Sequence, residues 1–176
     1  MGPTAAEREA LATGWDPNPA RSMSLSTDAY TDPRWFDVEV ETVFSLTWQW
    51  VCHVEKVRDP GTYTTATIAD RSVVVARDVD HTLRAFSNVC MHRAHELLTG
   101  DGTVKRITCP YHAWSYGLDG GLLIAPHTDH LVDFDPDSIC LDALAVEEFG
   151  GFVYVNLDSE ARALAEQAGD LAAEIA

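Results

Sequence analysis

Two short stretches of this chain each offer one thiol and one imidazole. The first reads Cys90-Met91-His92, and sixteen residues later comes Cys109-Pro110-Tyr111-His112. Two thiolates and two imidazoles suit a transition metal, and their order separates the candidates. In a zinc finger the two cysteines come first and the two histidines follow. Here each stretch is mixed, Cys-x-His and then Cys-x-x-His. That is the order needed when one cysteine from each loop holds one iron and one histidine from each loop holds the other. Zinc stays open as the alternative, because mixed Cys/His zinc sites exist. Four thiolates around two ferric ions and two sulfides leave a formal charge of about minus two. Two neutral imidazoles bring it near zero, so that an added electron is accepted more readily.

The remaining donors read as structural. His95 follows His92 by three residues, but a four-ligand centre has no vacancy for it. His127 and His130 are spaced for one helical turn, yet Pro126 before them and the lack of a carboxylate partner favour a solvated loop. His53 ends a strand and His81 occupies a turn. Gly100 and Gly102 are turn formers, since no strand and helix flank them as a phosphate loop requires. Cys52 and Cys140 sit among apolar neighbours and are expected as buried free thiols, which implies a reducing cytoplasm.

Strands and turns must carry the two donor loops. Asp32-Pro33 is a helix start, a cap followed by proline at the first position, and Phe36, Val40, Val43 and Phe44 continue it to about Ser45. Trp48, Trp50 and Val51 open a strand. Three further strand-like runs follow, 63–69, 73–77 and 83–87, separated by Asp70-Arg71 and by residues 78–81. Gly100 to Gly102 turns the chain, residues 104–108 run back, and 114–118 form another strand before the tight turn at Asp119-Gly120-Gly121. Residues 141–149 and 152–156 form a hairpin around Gly150-Gly151. Asp158-Ser159 then caps a last helix with Leu164, Ala168, Leu171 and Ile175 on one face.

Bulk properties fit one ordinary domain. The chain has 176 residues, 46% hydrophobic and 23% charged, with no run of membrane-spanning length and no signal-peptide core. Its net charge of −16 argues against nucleic acid or an anionic membrane as partner.

The run NVCMHRAHELLTGDGTVKRITCPYHAWSYGLDGGL closely resembles the Rieske [2Fe–2S] domain of the Rieske non-haem iron oxygenases of the aromatic ring-hydroxylating type, found in their α subunits. The similarity extends from about Tyr30 to Asp158. It implies that Cys90 and Cys109 bind one iron and that His92 and His112 bind the other. Respiratory Rieske proteins carry an extra cysteine in each loop and a serine two residues after the last histidine. Here Arg93 and Tyr111 lie near the cysteine positions and Trp114 takes the serine's, so the oxygenase type is implied. By the same resemblance Tyr116 donates a hydrogen bond toward a cysteine sulfur. Trp114 reads either as a lid over the cluster or as a core residue. Arg93 reads as a loop cation, or as a residue that orients the loops or meets an electron donor. Relatives have glycines in the turns at Asp70-Arg71 and at 78–81; their absence here implies altered turn geometry.

The implied fold is mainly β, antiparallel sheets flanked by N- and C-terminal helices. The expected divisions are an arm over 1–27, the Rieske domain over 28–158 and a C-terminal helix over 159–176 that leads to an absent catalytic domain or partner. Related α subunits hold a mononuclear Fe(II) on two histidines and a carboxylate, and no such helix signature occurs here. The expected function is therefore electron transfer, from a ferredoxin or flavin reductase to that iron in a catalytic oxygenase domain or subunit. The relatives that act on quaternary amines and aromatic carboxylates are the nearer in motif. A homo-oligomer is compatible with this role. The alternative is a free-standing Rieske-type ferredoxin, but such carriers run near a hundred residues and lack the flanking helices.

Overall fold

The computed structural model describes residues 4–11 and 13–175. The chain divides into two compact units, one up to Ser45 and one from Leu46 onward. The ligand loops lie in the second unit. The expected arm over 1–27 falls partly outside the described residues.

The first unit holds three short helices, α1 (Ala5–Leu11), α2 (Asp28–Thr31) and α3 (Pro33–Glu39). The start of α3 is as the sequence requires: Pro33 occupies the first turn, and the Asp32 side chain accepts from the Arg34 N–H at 3.0 Å. The helical stripe continues through a π-helical turn over Val40–Phe44. Arg34 forks between Asp32 (2.6 Å) and Glu7 of α1 (3.0 Å). It holds the Asp32 carboxyl below its usual range, while Glu7 is lowered first by hydrogen bonds from Thr4 and then by Arg34.

The second unit is built on antiparallel strands. β1 (Gln49–His53), β2 (Thr62–Ile68), β3 (Arg71–Arg77), β4 (Leu83–Ser87), β5 (Asp101–Thr103), β9 (Ala143–Phe149) and β10 (Phe152–Asn156) form one sheet, in the order β1-β10-β9-β4-β3-β2-β5. The short strands β6 (Ile107–Thr108), β7 (Ser115–Tyr116) and β8 (Leu122–Ile124) form a second. Strand β3 is central, and its run Val73-Val74-Val75-Ala76 is at most 1% exposed on both faces. A continuous β-branched run is what a strand covered on both sides needs. The core joins the two sheets: Val74, Ala76 and Phe86 of the large sheet cluster with Ile107, Tyr116 and Leu122 of the small one, and with both loop cysteines.

Several expectations shift in detail. Residues 104–108 do not fold back on β5. Instead β5 pairs with β2 at the sheet edge, and β6 turns away to pair with β7, which places the second ligand loop on the small sheet. Only Ser115–Tyr116 of the expected 114–118 strand is paired. The turns at Ala69 and His81 keep left-handed backbone, φ +54 and +65, without glycine. The single C-terminal helix is two, α4 (Leu164–Ala168) and α5 (Leu171–Ile175), broken where Gly169 takes φ +54. Asp158 caps the bend before them rather than a helix, accepting from Glu160 N–H at 3.0 Å. Trp48 Nε1 donates to Arg162 O (3.0 Å), and Leu164 N–H to Glu147 (3.0 Å), which tie this segment down. Cys52 is buried as expected, but Cys140 is exposed, on an isolated bridge to Gly121 at the margin of the small sheet.

Candidate metal centre

The two donor stretches fold into loops of one design. In each, the fourth residue after the cysteine is an alanine with left-handed backbone, Ala94 at φ +52 and Ala113 at φ +58. Its N–H donates to the cysteine carbonyl, at 2.9 Å in the first loop and 3.0 Å in the second. The cysteine N–H donates in turn to the carbonyl of the fifth residue, His95 (2.9 Å) or Trp114 (2.8 Å). Alanine is the smallest residue with a Cβ, and a β-branched side chain would be strained at either position. These matching turns bury both thiols, Cys90 and Cys109 each 2% exposed, and leave both imidazoles half-buried. The His92 and His112 rings lie edge to face with centroids 4.8 Å apart.

The bases of the loops differ. The second is closed by backbone pairing of β6 with β7, Thr108 opposite Ser115 and Ile107 opposite Tyr116. The first leaves β4 through Asn88 and returns past Leu97 and Leu98, where no second strand is paired. Apart from the isolated bridge of Val89 to Glu96, its closure falls to the fully buried side chain of Asn88.

His112 carries the most telling atom. Its Nδ1 is buried and has no hydrogen-bond partner among the described residues. A buried polar atom left without a partner is destabilising, and a metal ligand bond would satisfy it. Burial holds the His112 pKa below the usual imidazole range, and the nearby charges of His92, Arg93 and His95 add to that. The ring is thus kept neutral, the form that binds metal. Among the described residues no three His, Cys, Asp or Glu converge on one ion position. The donors come as a buried pair of cysteines and a half-buried pair of histidines, the two kinds of donor pair that a two-iron centre of mixed ligation uses.

Three expected helpers are placed as follows. Tyr116, fully buried on β7, has its hydroxyl 3.3 Å from Cys90 Sγ and accepts from the Met91 N–H at 3.1 Å. Because a thiolate has no proton to give, the tyrosine O–H is the donor to sulfur when Cys90 is ionised. Burial, and then the Cys90 hydrogen bond, push the Tyr116 pKa well up, so its proton stays in place. Trp114 is 8% exposed and stacked on His92, centroids 4.8 Å apart and planes 8° from parallel; Phe134 meets it edge to face with centroids 5.9 Å apart. It is both a core residue and a cover for one imidazole. Arg93 is exposed and makes no hydrogen bond or ion pair among the described residues.

Sequence reasoning missed the wall beside the two histidines. A cavity of about 580 Å³ is lined by His92, Arg93, His112 and Trp114 from the ligand loops and by Pro126, His127, Thr128, His130, Leu131 and Phe134 from the stretch that follows. His127 and His130 are exposed, as a loop reading requires, but they stand next to the centre rather than apart from it. Only the apolar Leu131 and Phe134 in a largely polar stretch hinted at this. Of the other histidines, His95 is exposed and lies 5.5 Å from the Tyr111 ring, and His53 Nδ1 accepts from Glu55 N–H.

Comparison with known proteins agrees with this geometry. Residues 47–135, which span both ligand loops, match the family model described as the Rieske [2Fe-2S] domain. The carnitine monooxygenase oxygenase subunit of Acinetobacter pittii is 39% identical over 165 residues, 93% of this chain and 44% of that protein. The chloroplastic choline monooxygenase of Beta vulgaris is 35% identical over 150 residues, 84% of this chain and 34% of that protein. A crystal structure of a quaternary ammonium Rieske monooxygenase in complex with L-carnitine superposes with a TM-score of 0.80 at 40% identity, covering 84% of this chain and 42% of the other. The chain thus spans less than half the length of the relatives it matches. With one Cys/His loop leaving the large sheet, its match on the small antiparallel sheet, and these likenesses beside them, the chain belongs to the Rieske [2Fe–2S] domain family and is homologous to the oxygenase subunits of Rieske oxygenases.

Proposed function

We propose that this chain is the electron-transfer portion of a Rieske non-haem iron oxygenase, with Cys90 and Cys109 holding one iron and His92 and His112 the other. The observation that carries the reading is the pairing of two buried thiols with two adjoining imidazoles, one of which has a buried, unpartnered Nδ1. When bound, the cluster supplies a one-electron carrier whose potential is raised by the two neutral ligands. The chain's own residues do the rest. Tyr116 directs its O–H at Cys90, which stabilises added negative charge on that sulfur. Trp114 covers one face of His92, and Phe134 packs edge-on against Trp114.

The donor in this reading is a ferredoxin or flavin reductase, and the acceptor is a mononuclear iron in a catalytic domain or subunit beyond these residues. The similarity to carnitine and choline monooxygenases supports a quaternary amine as the substrate of the whole enzyme. The test is to mix the purified, cluster-loaded chain with a reductase, NADH and a quaternary amine such as carnitine. The visible absorbance of the cluster should bleach while no oxygenated product forms until a protein with the mononuclear iron is added. Stoichiometric product from the chain alone contradicts this division of labour.

A further inference from the structure

We propose that Asn88 is a positioning residue that holds the first ligand loop against Tyr116 and thereby sets the potential of the centre. The proposal rests on the cluster assignment above and deepens it.

The argument starts from the unequal loop bases. A loop that must present a thiolate and an imidazole to one centre has to be closed firmly beneath them. Backbone pairing between β6 and β7 closes the second loop. The first has no such strand pair below Val89, and the Asn88 side chain supplies the equivalent bonds. Its Oδ1 accepts from the Leu98 N–H at 3.0 Å and its Nδ2 donates to the Leu98 carbonyl at 2.7 Å. One donor and one acceptor of an amide thus pair with both backbone groups of a single residue, as a facing strand residue would. The Asn88 backbone extends the clamp, donating to Ser72 O on β3 at 3.0 Å and accepting from the Leu97 N–H at 3.2 Å. The second Nδ2 hydrogen reaches Ser72 Oγ at 3.1 Å, and that hydroxyl donates to Glu96 at 2.7 Å. The side chain is fully buried, so water cannot replace these bonds when they are lost.

Between the clamped ends lie Cys90, His92 and the Met91 N–H. Tyr116 stands on the other sheet and touches this loop twice, at Cys90 Sγ and at the Met91 N–H. Both contacts depend on where the first loop sits relative to β7, and the side-chain bond at its base is Asn88's. Asparagine is the side chain that fits: its amide holds a donor and an acceptor on two separate atoms that meet both backbone groups of Leu98, whereas serine has a single hydroxyl oxygen and leucine has no polar group.

The test is a double-mutant cycle read as midpoint potential and EPR line shape on the full chain carrying its cluster. Asn88→Ala and Tyr116→Phe should each lower the potential. The double variant should lie no lower than the lower of the two, because both remove the same hydrogen bond to Cys90. The EPR features of Asn88→Ala should also broaden as the loop samples several positions. Asn156 is equally buried and bonds to Leu46 O and Asp158 N–H, away from the loops, so Asn156→Ala should reduce stability and leave potential and line shape unchanged. Should the alanine variant not load iron, Asn88→Ser keeps a polar group at the buried position and the cycle is run with it. A loaded Asn88 variant with wild-type potential, or shifts that simply add to those of Tyr116→Phe, overturns the proposal while leaving the cluster assignment intact. Absence of iron and sulfide from the wild-type chain overturns both.

Discussion

At the scale of single residues, the centre depends on hydrogen bonds aimed at sulfur and on rings packed against imidazoles. Tyr116 is fixed by accepting from Met91 N–H, so its one proton has a single direction left, toward Cys90. A hydrogen bond to a sulfur favours the reduced state, which carries more negative charge. Tyr116→Phe removes it without changing the packed ring. The expected result is a lower midpoint potential with unchanged iron content. If the bond contributes about 1 kcal/mol more to the reduced state, the drop is roughly 40 mV for a one-electron couple. Redox titration of the two proteins checks it, and an equal or higher potential in the phenylalanine variant contradicts the donor role. Tyr116 was legible from its place in the motif, four residues after His112. Asn88 was not, because its role is to imitate a strand and nothing in an isolated asparagine announces that. Nor were the contacts of Trp114 with both His92 and Phe134, which need the stretch around Phe134 folded beside the loops.

At the scale of elements, turn chemistry carries most of the local strain. The β2–β3 connection is the two-residue step Ala69-Asp70, with Ile68 opposite Arg71, and Ala69 takes φ +54. Left-handed backbone costs an alanine about 1–2 kcal/mol. Glycine avoids that cost but loses about 0.5–1 kcal/mol of chain entropy on folding. Ala69→Gly should therefore stabilise the protein by roughly 0.5–1 kcal/mol, seen as a higher urea midpoint with the same slope; an unchanged or lower midpoint contradicts it. The strands were readable because β-branched runs and Gly-Gly or Asp-Gly turns are local signals. The β9–β10 hairpin falls at Gly150-Gly151 as expected, both at positive φ. Two features were not readable. Strand β5 chooses β2 over β6 because pairing across a long loop is a tertiary decision. The C-terminal helix breaks at Gly169, where the periodic apolar stripe runs straight through a residue that favours left-handed backbone.

At the scale of the molecule, an acidic chain presents a small patch of different character. The net charge is −16, yet the cavity beside the two ligand histidines is lined by imidazoles, Arg93 and apolar groups, with no carboxylate in its wall. Among the described residues no helix is long and apolar enough to cross a membrane. The donor set itself was the most legible feature of all, because Cys-x-His and Cys-x-x-His are short-range patterns that survive without any knowledge of the fold. What the pattern alone left open was the choice between two irons and one zinc, and the four ligand assignments still turn on it. Metal and sulfide analysis of the purified chain, followed by EPR of the reduced protein, tests this most directly. The account predicts two irons and two acid-labile sulfides per chain, with a rhombic signal of low average g set by nitrogen ligation. One zinc per chain with no sulfide and no signal on reduction would contradict it.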